Sequence, residues 1–236
     1  MDIKCSIVIP VLQSYEPLRR QLLYFEQFLP DDWEVIVMDD GSDLPIMEDP
    51  NDYNYHLKIV PTGDYRNWSQ PAARNAGVKL AKGKYIFMPA VDHIVTPDVV
   101  QCINAEKFIR MNFYRHWGVL EYTDDSKKDV IIKTDFATLQ RYGLKENLIG
   151  RKTVPYDIYA MRKDIWLEIG GYDESFVGKY GGDDVAFAKE YAKYIDGKVR
   201  ENPEKKPDYE IRLRDLIYVY PDPARDLLGL FHNLKR

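Results

Sequence analysis

A chain of 236 residues, 45% hydrophobic and 30% charged, has the make-up of a soluble globular protein and is neither disordered nor collagen-like. Its 33 Lys and Arg against 38 Asp and Glu leave a net charge of −5, so no overall positive field draws it to nucleic acid or to an anionic membrane. Cys5 and Cys102 are too few for a disulfide scaffold or a thiolate zinc cluster and fit a reducing, cytoplasmic setting; the N-terminus reads as no signal peptide, and no apolar stretch approaches the roughly 20 residues of a membrane helix.

The first predicted element is a strand over 5–12, CSIVIPVL, continuously apolar and β-branched as a strand buried on both faces must be, with Pro10 ending its pairing. Leu18, Leu22, Phe25 and Leu29 then recur at helical spacing and predict an amphipathic helix over 16–29, stopped by Pro30 and the Asp31-Asp32 pair. A second buried strand, 33–38, runs into the polar turn Asp39-Asp40-Gly41-Ser42-Asp43 and completes a βαβ unit. The rhythm continues with a short strand over 57–60 and a helix with Ser69 as N-cap and Pro71 in its first turn, ended by Gly83. A strand over 84–88 follows, then Pro89 to His93, and Thr96-Pro97 opens another helix. Alternation of this kind predicts an α/β sheet, and ligands in such sheets bind beyond the carboxyl ends of the strands, where Asp39, Asp40 and Asp92 fall.

The stretch 113–139 mixes aromatics with charges and reads as short strands or long loops. A strand over 157–161 and a short helix over 163–169 come next, then five glycines between Gly170 and Gly182, which permit tight turns and close approach to a ligand. Val185, Ala188, Tyr191, Ala192 and Ile195 keep helical spacing, so Asp183 and Asp184 belong at a helix N-terminus, and 196–207 reads as an exposed loop. One domain over 1–236 is expected.

Three acidic groups at element ends, Asp39-Asp40, Asp92 and Asp183-Asp184, suit either a divalent cation carrying phosphate or a general base facing a hydroxyl. Each pair alone is as well explained by turns and caps. His56, His93, His116 and His232 form no HExxH pair; His93 and His232 reach a metal only if the fold brings them to one mouth, and are otherwise ordinary histidines. No phosphate loop, dinucleotide fingerprint or nucleophile elbow is present.

SIVIPV, VIVMDDGSD and QPAARNAGVKLAKGKYIFMPAVD together resemble, in order and spacing, the nucleotide-sugar-binding half of family 2 glycosyltransferases with the GT-A fold, over about the first 100 residues. IGGYDESFVGKYGGDDVAFAKEY is similar to the GGFDE…GWGGED segment of the galactosyltransferase and polypeptide N-acetylgalactosaminyltransferase relatives. The resemblance implies a GT-A (Rossmann-like), mostly parallel central sheet flanked by helices. It implies Pro10 and Val11 lining the base pocket, Asp39 or Asp40 bonding the base or ribose, and Arg74 near the base or diphosphate of a nucleotide-sugar donor. The D-x-D triplet falls on Ala90-Val91-Asp92, without its first acid. Asp92 and the diphosphate are left to hold Mn²⁺ or Mg²⁺, with His232 as a further ligand. Asp184 maps to the catalytic base and Asp183 to the residue holding the acceptor.

The activity so implied is metal-dependent, inverting transfer from a nucleotide-diphosphate sugar, a UDP-sugar first, to a saccharide or other hydroxyl acceptor. Two other readings are a degenerate nucleotide-sugar-binding protein and a nucleotidyltransferase, and the latter lacks its basic glycine-rich loop at Gln13-Ser14-Tyr15-Glu16. A hydroxylated base in nucleic acid is a further acceptor. Lys127-Lys128, Lys133, Arg141, Arg151-Lys152 and Lys205-Lys206 would meet phosphates, and Phe113, Tyr114, Trp117 and Tyr142 would stack.

Overall fold

The structure is a computed structural model and describes residues 2–91, 93–95, 97–105, 108–118, 148–153, 156–201 and 212–219. In chain order the elements are β1 (Cys5–Val11), α1 (Tyr15–Phe25), β2 (Trp33–Asp39), β3 (His56–Pro61), α2 (Gln70–Leu80), β4 (Tyr85–Met88), β5 (His93–Val95) and α3 (Pro97–Ala105). There follow β6 (Arg110–Gly118), β7 (Leu148–Thr153), β8 (Tyr159–Arg162), α4 (Lys163–Ile169), α5 (Asp183–Glu201) and β9 (Arg212–Val219). The strands form one nine-stranded sheet in the order β3-β2-β1-β4-β8-β6-β9-β5, with β7 pairing β6.

The first half is parallel throughout: β1 pairs β2 from Cys5↔Trp33 to Val11↔Asp39, β2 pairs β3, and β1 pairs β4 from Cys5↔Tyr85 to Ile7↔Phe87. Antiparallel β8 then joins β4 to the mixed second half. Both faces are covered, which is why these strands read as unbroken apolar runs. Ile7, Ile9, Val35 and Val37 pack with Leu18, Leu22 and Phe25 of α1 and with Val99 and Ile103 of α3. Val8, Ile36 and Met38 face the other way, onto Ala73 and Val78 of α2, with Trp166 of α4 and Phe187 and Tyr191 of α5 completing that layer.

Several boundaries depart from the sequence reading. The register of β1 with β2 continues through Pro10 to Val11; the ladder to β4 stops at Ile7, so on that side the missing proline amide breaks nothing. Helix α1 ends at Phe25 because the chain tightens into i−3 bonds, Gln27 N to Tyr24 O and Phe28 N to Phe25 O, ahead of Pro30. Helix α2 ends at Leu80, before Gly83. Gly83 answers a different need: a Cβ there would lie 2.5 Å from Ser6 N and 2.7 Å from Tyr85 O, so only glycine lets the chain pass this close to β1. The exposed loop expected over 196–207 does not begin at Asp196: α5 continues to Glu201, with Lys198 and Arg200 in its last turn, where the helix dipole favours cations, and 202–207 lie outside the described residues. Strand β5 escaped the sequence reading because its partner β9 lies more than a hundred residues away.

Candidate active site

The order β3-β2-β1-β4 puts a switch point between β1 and β4: from β1 the chain crosses to β2 on one side, and β4 fills the other. The carboxyl ends of the two diverge there and leave a cleft. Pro10, Val11, Leu12 and Ser14 line it from β1, Asp40 from the turn after β2, Trp68 and Gln70 from the approach to α2, and Ala90 and Val91 from beyond β4.

Asp39 and Asp40 separate clearly. Asp39 closes its own turn: its Oδ1 accepts from Ser42 N at 3.0 Å, while its backbone carbonyl accepts from Thr62 N. Asp40 lines the cleft, its backbone N donating to Val11 O at 2.8 Å and its Oδ1 accepting from Ser69 Oγ at 2.5 Å. Ser69 occupies the N-cap position of α2 but makes no side-chain cap bond, because its hydroxyl is engaged with Asp40. Of the two non-glycine residues with left-handed backbones among those described, Trp68 (φ 51°) lines this cleft and Gln13 (φ 52°) falls in the chain between its lining residues Leu12 and Ser14; strain of that kind gathers where ligands are clamped.

A second cluster forms around Arg74 on α2. The guanidinium is 2% exposed, 3.8 Å from Asp157 Oδ2 ahead of β8 and 3.8 Å from Asp183 Oδ2 at the start of α5, with its Cζ 5.0 Å from the Tyr172 ring centroid. Burial opposes its charge, but the Tyr172 phenol, Asp157 and Asp183 outweigh that and raise its pKa. Arg74 therefore sits among the acids of the second half and is not among the residues lining the cleft. Asp183 is buried against it, and among the described residues Asp183 Oδ2 and Arg74 Nε have no hydrogen-bond partner.

Asp184, the next residue, is half-buried. Burial pushes its carboxyl above the usual carboxylate range; the Val185 amide pulls it down, Asp157 and Asp183 push it up again, and Arg74 lowers it. A half-desolvated carboxylate beside two others is suited to taking a proton from a hydroxyl. Trp68 and Tyr180 link the two clusters, their ring centroids 4.5 Å apart, and Gly178 N donates to Trp68 O at 3.4 Å.

The sequence reading passed over Asp157 and Trp68. Asp157 looked like the first residue of a strand, and only the pairing of β8 with β4 and β6 brings it to Arg74. Trp68 carries no motif; the signal open to a reader was a large aromatic beside the N-cap of a helix at a strand's carboxyl side. His93 is buried, with its Nδ1 accepting from Ala90 N at 3.0 Å, so that nitrogen is committed to the backbone.

Asp92 and His232, the expected metal ligands, lie outside the described residues, as do Lys127, Lys128, Lys133, Arg141, Tyr142, Lys205 and Lys206 of the expected nucleic-acid contacts. Among the described residues no three His, Cys, Asp or Glu side chains come together as a metal cage, and Asp40 is held by Ser69. The described donor set thus does not fit a metal held by protein alone.

The sequence comparison decides the family. The model of the family described as glycosyltransferase like family 2 matches residues 6–216. The chain belongs to that family. No curated protein matches this chain in sequence. Among solved structures, S. aureus TarS residues 1–349 in complex with UDP-GlcNAc superposes with a TM-score of 0.62 at 12% identity, over 96% of this chain and 61% of that one. The same TarS fragment in another crystal structure gives 0.58 at 14%, over 92% and 60%. GalNAc-T7 with UDP, GalNAc and Mn²⁺ gives 0.57 at 15%, over 93% of this chain and 44% of that one. These likenesses establish the GT-A fold. The chain spans about 60% of the TarS chains it matches.

Proposed function

We propose that this glycosyltransferase moves a sugar from a UDP-sugar to a hydroxyl acceptor by single displacement with inversion, with Asp184 as general base. The observation that carries the reading is the pairing of a switch-point cleft with an acid whose pKa is raised. Pro10, Val11 and Asp40 border the first, and Asp184 stands in the first turn of α5, which follows Tyr180, whose ring meets Trp68 of the cleft lining. That the neighbouring folds were solved with UDP-GlcNAc and with UDP, GalNAc and Mn²⁺ supports the donor class.

In this reading Pro10 and Val11 flank the base, and Asp40, oriented by Ser69, accepts from base or ribose. The acceptor hydroxyl oxygen bonds to the anomeric carbon as the carbon–oxygen bond to the diphosphate breaks. The bonding electrons leave with the diphosphate, and the hydroxyl proton passes to Asp184. Asp183, buried against Arg74, fixes the guanidinium and with it the edge along which the acceptor is held. Mn²⁺ or Mg²⁺, held by Asp92 and the diphosphate with His232 as a further ligand, would neutralise charge on the leaving group. The residues to 100 serve the nucleotide and those from 101 the acceptor, in a cytoplasmic setting that keeps Cys5 and Cys102 as thiols.

The acid-rich surroundings of Asp184 favour a neutral saccharide over a phosphate-rich acceptor, since Asp157 and Asp183 repel phosphate. Calorimetric titration with UDP, GDP and CMP, with and without Mn²⁺, tests the donor assignment. Tight, Mn²⁺-dependent binding of UDP, lost in Asp92→Ala, is the expected result. Binding of none of the three would leave a fold without donor recognition.

A further inference from the structure

Asn75 follows Arg74 on α2, and the donor and acceptor groups of its side chain all go to a loop 97 or more residues away. Its Oδ1 accepts from Tyr172 N, and its Nδ2 donates to Tyr172 O and to Glu174 Oε1, each at 2.9 Å. An amide that accepts from and donates to one residue's backbone acts as a surrogate strand, and Asn75 therefore holds Tyr172 to α2 in both directions. The loop is pressed against it. Gly171 has φ +76°, and a Cβ there would lie 2.8 Å from Asn75 Oδ1 and 2.4 Å from Trp166 Cη2.

Tyr172 is the common wall of the acid cluster. One side of its ring is approached by Arg74 at 5.0 Å, and the ring stacks on Phe187 of α5 with centroids 4.8 Å apart and planes at 21°. Its hydroxyl is hydrogen-bonded with Tyr159 Oη at 3.1 Å. Phe187 lies one helical turn after Asp183 and Asp184, so the placement of Tyr172 governs both the guanidinium and the head of α5. At the N-terminus of α2, Ser69 is bonded to Asp40 in the cleft.

We infer that Asn75 is a positioning residue for transfer: through Tyr172 it sets Arg74 and the first turn of α5, and so the place of Asp184 relative to a donor bound in the cleft at the N-terminus of α2. The inference rests on the UDP-sugar transfer reading. A small displacement of a reacting group costs on the order of 100-fold in rate, whereas neither Tyr172 nor Asn75 is among the residues lining the cleft.

The test uses the full chain. UDP affinity is measured by calorimetry, and turnover as UDP release from a panel of UDP-hexoses and UDP-N-acetylhexosamines with Mn²⁺, across pH. Asn75→Ala is expected to lower kcat about 30-fold, to leave the UDP Kd within about 3-fold, and to move the acid limb of the rate profile to lower pH as Asp184 leaves its carboxylate neighbours. Glu174 is exposed, so Glu174→Ala folds even where Asn75→Ala does not; the loss of one bond of three should lower kcat about 3-fold at unchanged UDP Kd and Tm. Unchanged kcat in either variant, or UDP affinity falling in step with kcat, overturns the assignment. Failure of the wild-type chain to bind UDP, or to release it from any UDP-sugar, removes the transfer reading itself and this inference with it.

Discussion

The acid pair at the head of α5 shows how two adjacent residues of one type acquire different chemistry from their surroundings. Asp183 turns inward to Arg74, and Asp184 stays half-buried among like charges, its carboxyl raised first by desolvation and then by Asp157 and Asp183. A base works only when deprotonated, so activity should be full above this raised pKa and fall as pH drops through it. The acid limb of kcat is expected above the usual value near 4 for an aspartate. Asp184→Asn should reduce kcat by at least about 100-fold without changing UDP affinity, and retained transfer in that variant would refute the assignment. Stability should move the other way. Holding Asp184 ionised costs the folded state, a cost absent at pH below the unfolded pKa and fully present once pH exceeds the folded one. Urea unfolding should therefore show Asp184→Asn as more stable than wild type at pH 7, with the difference closing in acid.

Helix α2 joins cleft to acid cluster, and its seat on the sheet is close. A Cβ on Gly77 would lie 2.4 Å from Val8 Cγ1 and 3.0 Å from Met38 Cγ. Two effects compete in Gly77→Ala: alanine gains about 1 kcal/mol in helix propensity, while overpacking a seated helix costs about 1–3 kcal/mol and shifts the helix. Because the neighbours belong to central strands β1 and β2 that cannot withdraw, net destabilisation is expected, measured as a lower urea midpoint. Glu34 on β2 is a second structural joint. It accepts from Ser6 Oγ at 2.7 Å, Lys58 Nζ at 2.7 Å and Lys82 N at 2.6 Å, tying β1, β3 and the α2–β4 connection together. Burial alone would raise this carboxyl, but those hydrogen bonds prevail and hold it below its ordinary value. Its contribution is thus present above the unfolded carboxylate pKa and is lost as pH falls through the depressed one. Glu34→Gln should cost about 2–3 kcal/mol at pH 7, with the gap to wild type shrinking as the solution is acidified.

At the scale of the molecule, a cleft between diverging strands ordered by a ligand predicts stabilisation by that ligand. UDP with Mn²⁺ at about 100 times its Kd should add about 2.7 kcal/mol to the folded state, readable as a rise in Tm that grows with UDP concentration; CMP should give none. A flat Tm across the UDP series would count against the cleft as a donor site. The parallel half was legible because each of its strands is buried on both faces, so hydrophobicity along the chain carries the structure directly; Cys5 to Val11 and Trp33 to Asp39 are buried at every position. Legibility failed where a neighbour distant in sequence decides, as for β5, which exists only through β9, and for Asn75, whose partners lie 97 and 99 residues on.

By itself the sequence determined the α/β class, the glycosyltransferase family and the position of Asp183 and Asp184 at a helix N-terminus. These follow from local pattern: burial on two faces, helical spacing, and short motifs in a fixed order. The tertiary structure decided which of Asp39 and Asp40 faces the cleft, that Ser69 binds Asp40 and does not cap its helix, and that Arg74 gathers Asp157 and Asp183. Those are choices between equivalent polar groups. Neither composition nor spacing ranks them, because the energy that settles each one, a hydrogen bond made or a buried charge paired, arises only when distant segments of chain meet.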